Sequence, residues 1–356
     1  MHLPSLVIAL SALGAVSLAP AAPVAPQLVG STYVFTFPEN GPRMVVDPAP
    51  GGRITSLKLG TPEFLYLSTA NNNLLWGSIF WTAPQSDWDW PPPAAHNTNP
   101  YTGGPKGDAL VLVSGLDNAS RFSMVKNFSG ESSDTSITLT YSIKNGGTAA
   151  KSAAPWVSTR VLPGGLTFWA KGPGPLRGTN STLVKEQGGW VWFDHAAGSG
   201  VSGSIAKVFA DGMGWMAHVN AGGQLLLMVF PDIAQADAAP QEAEIEIYTE
   251  PSQALMELEH QGAYRSIAAG DSLSYTIHWY LRQLPAGAQK AVGNAGLKAF
   301  VEGLLNRSAT ALSAGKGQRR GTRMTPGSRS FQVLDGQSRP VDAQGRVTGE
   351  VIGEFR

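Results

Sequence analysis

From Thr32 to Leu281 the chain repeatedly alternates apolar and polar residues with a period of two, a rhythm that suits β-strands and not helices. Ile137, Leu139, Tyr141 and Ile143 interleave with Ser136, Thr138, Thr140 and Ser142, and Leu273, Tyr275, Ile277, Trp279 and Leu281 repeat the arrangement. Successive strand side chains point to opposite faces, so such runs predict half-buried antiparallel strands. Comparable runs occur at 33–37, 54–59, 110–113, 121–128, 166–170, 190–193, 205–209, 225–230, 244–248 and 255–260. Turn signals such as Asn145-Gly146-Gly147, Pro163-Gly164-Gly165 and Ala221-Gly222-Gly223 separate them. The pattern predicts an all-β fold, a large antiparallel β-supersandwich, over residues 22–285. With 42 glycines, 25 prolines and only 15% charged residues in 356, the composition agrees: many turns and much buried sheet.

Leu297, Phe300, Val301, Leu304 and Leu305 recur at helical spacing instead, predicting one amphipathic helix over 286–306 on the sandwich edge. Residues 307–356 carry nine Lys or Arg against four Asp or Glu and include Gly-Lys-Gly-Gln-Arg-Arg-Gly, which predicts a basic flexible tail with a small hairpin over 331–347. At the other end, the apolar run from Leu3 to Leu18 followed by Ala19-Pro20-Ala21 reads as a secretory signal over 1–21, so the expected location is periplasmic or secreted. That run is shorter than the ~20 apolar residues a membrane span needs, so no stable membrane insertion is expected.

The absence of cysteine excludes disulfides, thiolate metal sites and cysteine nucleophiles, and it suits an oxidising compartment. A formal net charge of zero removes the attraction that nucleic-acid binders rely on. No two of the six histidines stand at a metal-ligand spacing, so neither a metal nor a cofactor is expected. Glycosylation sequons begin at Asn118, Asn127, Asn180 and Asn306.

The least ordinary stretch runs from Asn71 to Pro93. Four of the ten tryptophans, Trp76, Trp81, Trp88 and Trp90, fall within fifteen residues there, among Asn73, Gln85, Asp87 and Asp89. Indole faces stack on the apolar faces of sugar rings while short polar side chains meet the hydroxyls, so Asn73, Trp81, Gln85, Trp88 and Trp90 are expected to bind a carbohydrate. Tyr101 and Glu186 are added to that set. In Leu255-Met256-Glu257-Leu258-Glu259-His260-Gln261, Glu257 and Glu259 share one strand face about 6.5–7 Å apart, with Met256, Leu258 and His260 on the other. Two carboxylates that close raise each other's pKa, and one so raised can act as a general base near neutral pH. Glu244 and Glu246, on a neighbouring alternating strand, fit a solvated face. His96 and His195 lie on predicted loops and are the histidines expected near a substrate.

Gly51-Gly52-Arg53-Ile54, the Gly77-Ser78-Ile79-Phe80-Trp81-Thr82-Ala83-Pro84-Gln85 string with Trp90-Pro91-Pro92, and the run from Glu257 through Ala269-Gly270-Asp271 to Trp279 together resemble an uncharacterised bacterial family of galactose mutarotase-like proteins. The resemblance covers roughly residues 30–285. It implies the large antiparallel supersandwich of the aldose 1-epimerase superfamily and a carbohydrate in its concave face. Galactose mutarotases place their general base in a Leu-Glu-Thr-Gln string, which Leu258-Glu259-His260-Gln261 resembles, so the resemblance carries that role to Glu259. The mutarotase His-Gly-Gly motif has no counterpart, since the equivalent neighbourhood reads Trp76-Gly77-Ser78.

The expectation is therefore an exported carbohydrate-binding protein, for a mono- or oligosaccharide, with aldose 1-epimerase activity as its candidate chemistry. Glu259, with Glu257 beside it, would be the base, and His96 or His195 the acid. The alternatives are a polysaccharide-degrading hydrolase or lyase, and a non-catalytic sugar-binding or cell-surface module.

Overall fold

A computed structural model describes residues 22–68, 74–178, 184–195, 206–249, 254–318, 333–334 and 340–341. The proposed signal segment, Asn73 and most of the basic tail lie outside the described residues. Two eleven-stranded antiparallel sheets pack face to face, as the alternation requires. One is centred on the long strands Phe122–Glu131, Ser136–Asn145 and Ser272–Gln283. The other includes β1 (Ser78–Ala83), β2 (Lys151–Val161), β3 (Arg177–Gly178), β4 (Ala206–Ala210), β5 (Ile245–Thr249) and β6 (Met256–Gln261). Their order across the sheet is β3-β4-β5-β6-β2-β1.

Between the sheets lies one continuous apolar core. Phe80, Val157, Met256, Leu258, Ile245 and Ile247 enter it from the numbered strands, and Leu139, Tyr141, Ile277 and Trp279 from the facing sheet. Alternation turns the residues between these outward, where a separate cluster of Ile79, Trp81, Ala83, Ala154, Trp156 and Ala239 forms.

The helix runs over Ala295–Gln318, starting later and ending later than the spacing predicts. Its start is set by Asn294, whose side-chain oxygen accepts from Leu297 N at 2.8 Å, a cap that leaves 286–293 outside the helix. Leu297, Val301 and Leu304 are buried against the core, and Lys298 Nζ lies 4.6 Å from the Trp190 ring. In the tail, Val333–Leu334 pairs with Pro340–Val341, inside the expected hairpin.

Candidate functional site

Register assembles the site. Trp81 on β1 is opposite Trp156 on β2, which is opposite Gln261 on β6. The next row holds Ile79, Ser158, Glu259 and Glu246, continued by Phe209 on β4 and Arg177 on β3. A third row holds Arg160, Glu257, Tyr248 and Lys207. Paired residues share a face, so one surface collects residues from six strands, β1 to β6, that are far apart in sequence.

Ion pairs organise this surface. Arg160 Nη2 lies 3.2 Å from Glu257 Oε2, which also accepts from Ser158 Oγ at 2.8 Å. Lys207 Nζ lies 2.6 Å from Glu246 Oε2 and 3.4 Å from Glu259 Oε2. Ala243 N and Gln261 Nε2 donate to the other Glu246 oxygen at 2.8 and 3.2 Å. Arg160 and Glu246 are 0% exposed and Glu259 is 2% exposed, whereas the Lys207 side chain keeps 20% of its surface. Burial drives the Glu259 carboxyl up to about 7, with Glu257 adding to the rise and Lys207 opposing it. Burial raises Glu246 as well, again against Lys207. One ammonium cannot neutralise two buried carboxylates, so Glu246 and Glu259 titrate as a unit that retains a proton near neutrality.

Aromatic rings and cations alternate across the face. Arg160 sits 4.7 Å over Trp81, Trp81 meets Trp156 edge to face at 5.6 Å, and Lys207 lies 5.1 Å from both Trp156 and Phe209. Trp88 and Trp90 flank Trp81 at 6.0 and 6.2 Å. The tryptophan loop is pinned by Trp88 Nε1 donating to Thr82 O at 2.9 Å, and by Gln85 N donating to Glu242 Oε1 at 3.0 Å. Asn97 closes the rim: its Oδ1 accepts from Trp81 Nε1 and Arg53 Nη2 at 3.1 and 2.9 Å, which fixes the amide orientation. Gly77 has φ of +62° and a Cβ there would stand 2.5 Å from Ile54 O, so only glycine lets the chain enter β1 this closely.

Among the described residues, several buried polar atoms on this face have no hydrogen-bonding partner: Arg160 Nε and Nη1, Trp156 Nε1, Gln261 Oε1 and Asn97 Nδ2. Each such atom costs about 1–3 kcal/mol of lost solvation.

Trp81, Gln85, Trp88, Trp90, Glu257 and Glu259 are thus brought together. The histidines are not. His96 Nε2 pairs with Phe122 O at 3.1 Å, so only its neighbour Asn97 faces the site; His195 Nδ1 accepts from Gly164 N at 3.3 Å beyond the end of the other sheet. His218, His260 and His278 bond Thr167, Tyr275 and Thr138. Tyr101 is buried with its hydroxyl on His96 O, and Glu186 sits on an exposed edge strand paired with Lys171 at 2.5 Å. Glu244 and Glu246 are not on a solvated face but are 2% and 0% exposed. The segment carrying Ala239 and Glu242 folds over that face: Ala239 packs with Trp81 and Trp156. Arg160, Ser158, Trp156, Lys207 and Asn97 carry no expectation from the sequence, although Trp156, Ser158 and Arg160 alternate with Val157, Thr159 and Val161 in the way a two-faced strand does.

No family model matches the chain, and no curated protein matches it in sequence, which leaves the resemblance to one particular bacterial family without support. Solved structures do match. A putative aldose 1-epimerase from Escherichia coli superposes with a TM-score of 0.50 at 13% identity, over 71% of this chain and 100% of that one. The fold is galactose mutarotase-like. A TPR-domain containing protein from Parabacteroides distasonis superposes with a TM-score of 0.51 at 11% identity, over 73% of this chain and 50% of that one. A galactose mutarotase-like protein from Clostridium acetobutylicum has a TM-score of 0.46 at 10% identity, over 72% of this chain and 98% of that one. Among the described residues, the helices of this galactose mutarotase-like sandwich include none long and apolar enough to cross a membrane.

Proposed function

We propose that this protein is an exported carbohydrate-binding protein that holds a sugar on the outer face of β1 to β6 and interconverts its anomers with Glu259 as general base. The observation that carries this reading is the convergence of unpartnered buried polar atoms on Arg160, Trp156, Gln261 and Asn97 beside a wall of tryptophans. Buried donors and acceptors are normally satisfied, and a ring bearing many hydroxyls can satisfy several at once while its apolar face meets an indole.

The acid–base layout suits anomer interconversion and not an inverting hydrolase. O1 and O5 of an aldose hang on the same carbon, so base and acid must stand side by side. Glu259 and Glu246 do so on adjacent strands, with one oxygen of each on the same Lys207 Nζ, at 3.4 and 2.6 Å. An inverting hydrolase needs carboxyls about 6.5–9.5 Å apart on opposite sides of the bond. In the forward step Glu259 takes the proton from the O1 hydroxyl, the C1–O5 bond breaks to leave the open-chain aldehyde, and O5 takes the proton retained on Glu246. Rotation about C1–C2 and closure on the other face of the carbonyl run both transfers backwards and restore the pair. Lys207 holds the shared charge in place.

NMR exchange spectroscopy on glucose, galactose and their neutral epimers tests this reading. Exchange above the spontaneous rate, lost in Glu259→Gln, supports it. The near-complete burial of Glu246 and Glu259 favours a second reading, sugar binding without turnover, which predicts calorimetric binding and no rate enhancement.

A further inference from the structure

The face that carries Glu246 and Glu259 is closed in this structure. Arg160, Asn97, Glu246, Glu259, Trp81 and Trp156 each keep 2% of their surface or less, so a sugar reaches none of them until something moves. The tryptophan loop is the fixed wall: Trp88 meets Trp81 at 6.0 Å and Trp156 at 6.1 Å, and its Nε1 is held by Thr82 O. Across from it lies a segment built differently.

Residues 231–243, Pro-Asp-Ile-Ala-Gln-Ala-Asp-Ala-Ala-Pro-Gln-Glu-Ala, cross from the Gln224–Val229 strand of the facing sheet to β5 and pass over this face. Only Ile233, Ala239 and Ala243 are buried. Ile233 anchors the start of the crossing, and at its end Ala243 N donates to Glu246 Oε1 at 2.8 Å. Between these anchors one methyl group, that of Ala239, is buried against the Trp81–Trp156 cluster.

The remaining ties are at the rim. Asp237 O accepts from Tyr264 N at 2.7 Å, and Asp237 Oδ1 pairs with Arg265 Nη1 at 2.7 Å, with side chains 39% and 47% exposed. Glu242 Oε1 accepts from Gln85 N at 3.0 Å, and Glu242 O from Arg177 Nη2 at 2.8 Å. Exposed ion pairs contribute little, and a segment with few buried apolar contacts opens locally long before the sheets do. Gln241, where the chain bends down to β5, has φ of +69°, a conformation that costs a residue with a side chain and works against the closed arrangement. The closed segment also brings Glu242 towards Lys207 and Glu246, where its charge raises the proton affinity of both.

Building on the carbohydrate reading above, we propose that residues 234–242 are a lid that closes the tryptophan and carboxylate face and swings off it to admit and release the sugar, with Asp237 and Arg265 as its outer latch. Closure covers Trp156 and the acidic pair and adds the Glu242 charge beside them; opening uncovers them without disturbing the strand ladder beneath.

Because the chain has no cysteine, single thiols read this motion. Ala239→Cys on the lid and Ala154→Cys on β2 lie in the same cluster and are equally hidden, at 2% and 0% exposed. Under native conditions a thiol reagent should label Ala239→Cys at least ~10-fold faster, and adding Arg265→Ala should speed that labelling a further ~3-fold while leaving Ala154→Cys unchanged. Hydrogen exchange reads the same motion in the unmodified protein: Tyr264 N–H and Ala243 N–H should exchange ~10²-fold faster than the ladder amides of β6. One labelling rate for both thiols, or lid amides as slow as the ladder, overturns the lid. Calorimetry with glucose and galactose separates this inference from the reading it rests on. Fast labelling with no sugar bound keeps the lid and rejects the carbohydrate, whereas sugar binding to a protein whose Ala239→Cys thiol stays protected keeps the carbohydrate and rejects the lid.

Discussion

The two faces of strand β6 are equally hidden from solvent and chemically opposite. All six residues of Met256–Gln261 are buried. Met256, Leu258 and His260 enter the core, where the His260 ring stacks on Phe230 at 4.4 Å and bonds the Tyr275 hydroxyl. Glu257, Glu259 and Gln261 turn the other way, into ion pairs, indoles and unpartnered polar atoms. Exposure therefore does not mark the site in this molecule. What separates the faces is charge: the inner face has one polar side chain, the neutral His260 imidazole bonded through Nδ1 and unpartnered at Nε2 among the described residues, whereas the outer face holds buried ions, several unpartnered donors and a retained proton.

Two substitutions press on that contrast hardest. Glu257→Ala strands the fully buried Arg160 guanidinium, and breaking a buried pair from one side costs about 3–5 kcal/mol. The double variant with Arg160→Met should recover most of that loss in chemical denaturation, because the charge that needed a partner is gone. If the double variant is as unstable as the single one, the outer face is held by shape and not by charge. On the inner face, Leu258→Ala removes packing alone and should cost about 3 kcal/mol, with no second-site rescue of this kind.

Much of this architecture can be read from alternation. Period two in 136–143 and 273–281 predicts paired strands, and these residues form one ladder, Ile137 opposite Trp279 through Ile143 opposite Leu273. The same rhythm places Glu257 and Glu259 on one face. It does not reveal what covers that face: Ala239 packs on the tryptophans and Ala243 N donates to Glu246 from a connection with no periodicity of its own. Arg160 and Lys207 are equally silent, because a lone cation on a strand ordinarily reads as solvated; only the pairing of β4, β5, β6 and β2 puts them among carboxylates. The histidines mislead for the converse reason, since a loop position says nothing of which way the ring turns.

A smaller effect follows from the carboxyls themselves. Burial raises Glu244 to about 7 despite donation from Gly212 N and Gly214 N, so it binds its proton more tightly folded than unfolded. The stability it contributes is complete below its unfolded pKa of about 4.3 and is lost as pH rises through 7. Denaturation at pH 5 and pH 8 should show Glu244→Gln gaining about 2 kcal/mol on the parent protein across that interval. A difference that does not change with pH would mean that Glu244 is already ionised in the fold.

The smallest stability change, and the most informative about function, belongs to Glu259→Gln. The substitution removes one of two carboxylates competing for Lys207 and leaves the 2.6 Å contact to Glu246, so folding at pH 7 should shift by less than ~1 kcal/mol. Anomer exchange should nevertheless fall by about 10²-fold or more, because the base proposed to act at O1 is gone. In the unmodified protein the same rate should rise with pH through about 7, where Glu259 ionises. Lys207→Met should move that rise to higher pH, because it withdraws the ammonium that favours the carboxylate. A rate that ignores both substitutions would move the chemistry away from this face, even though the face keeps its buried charges and its fold.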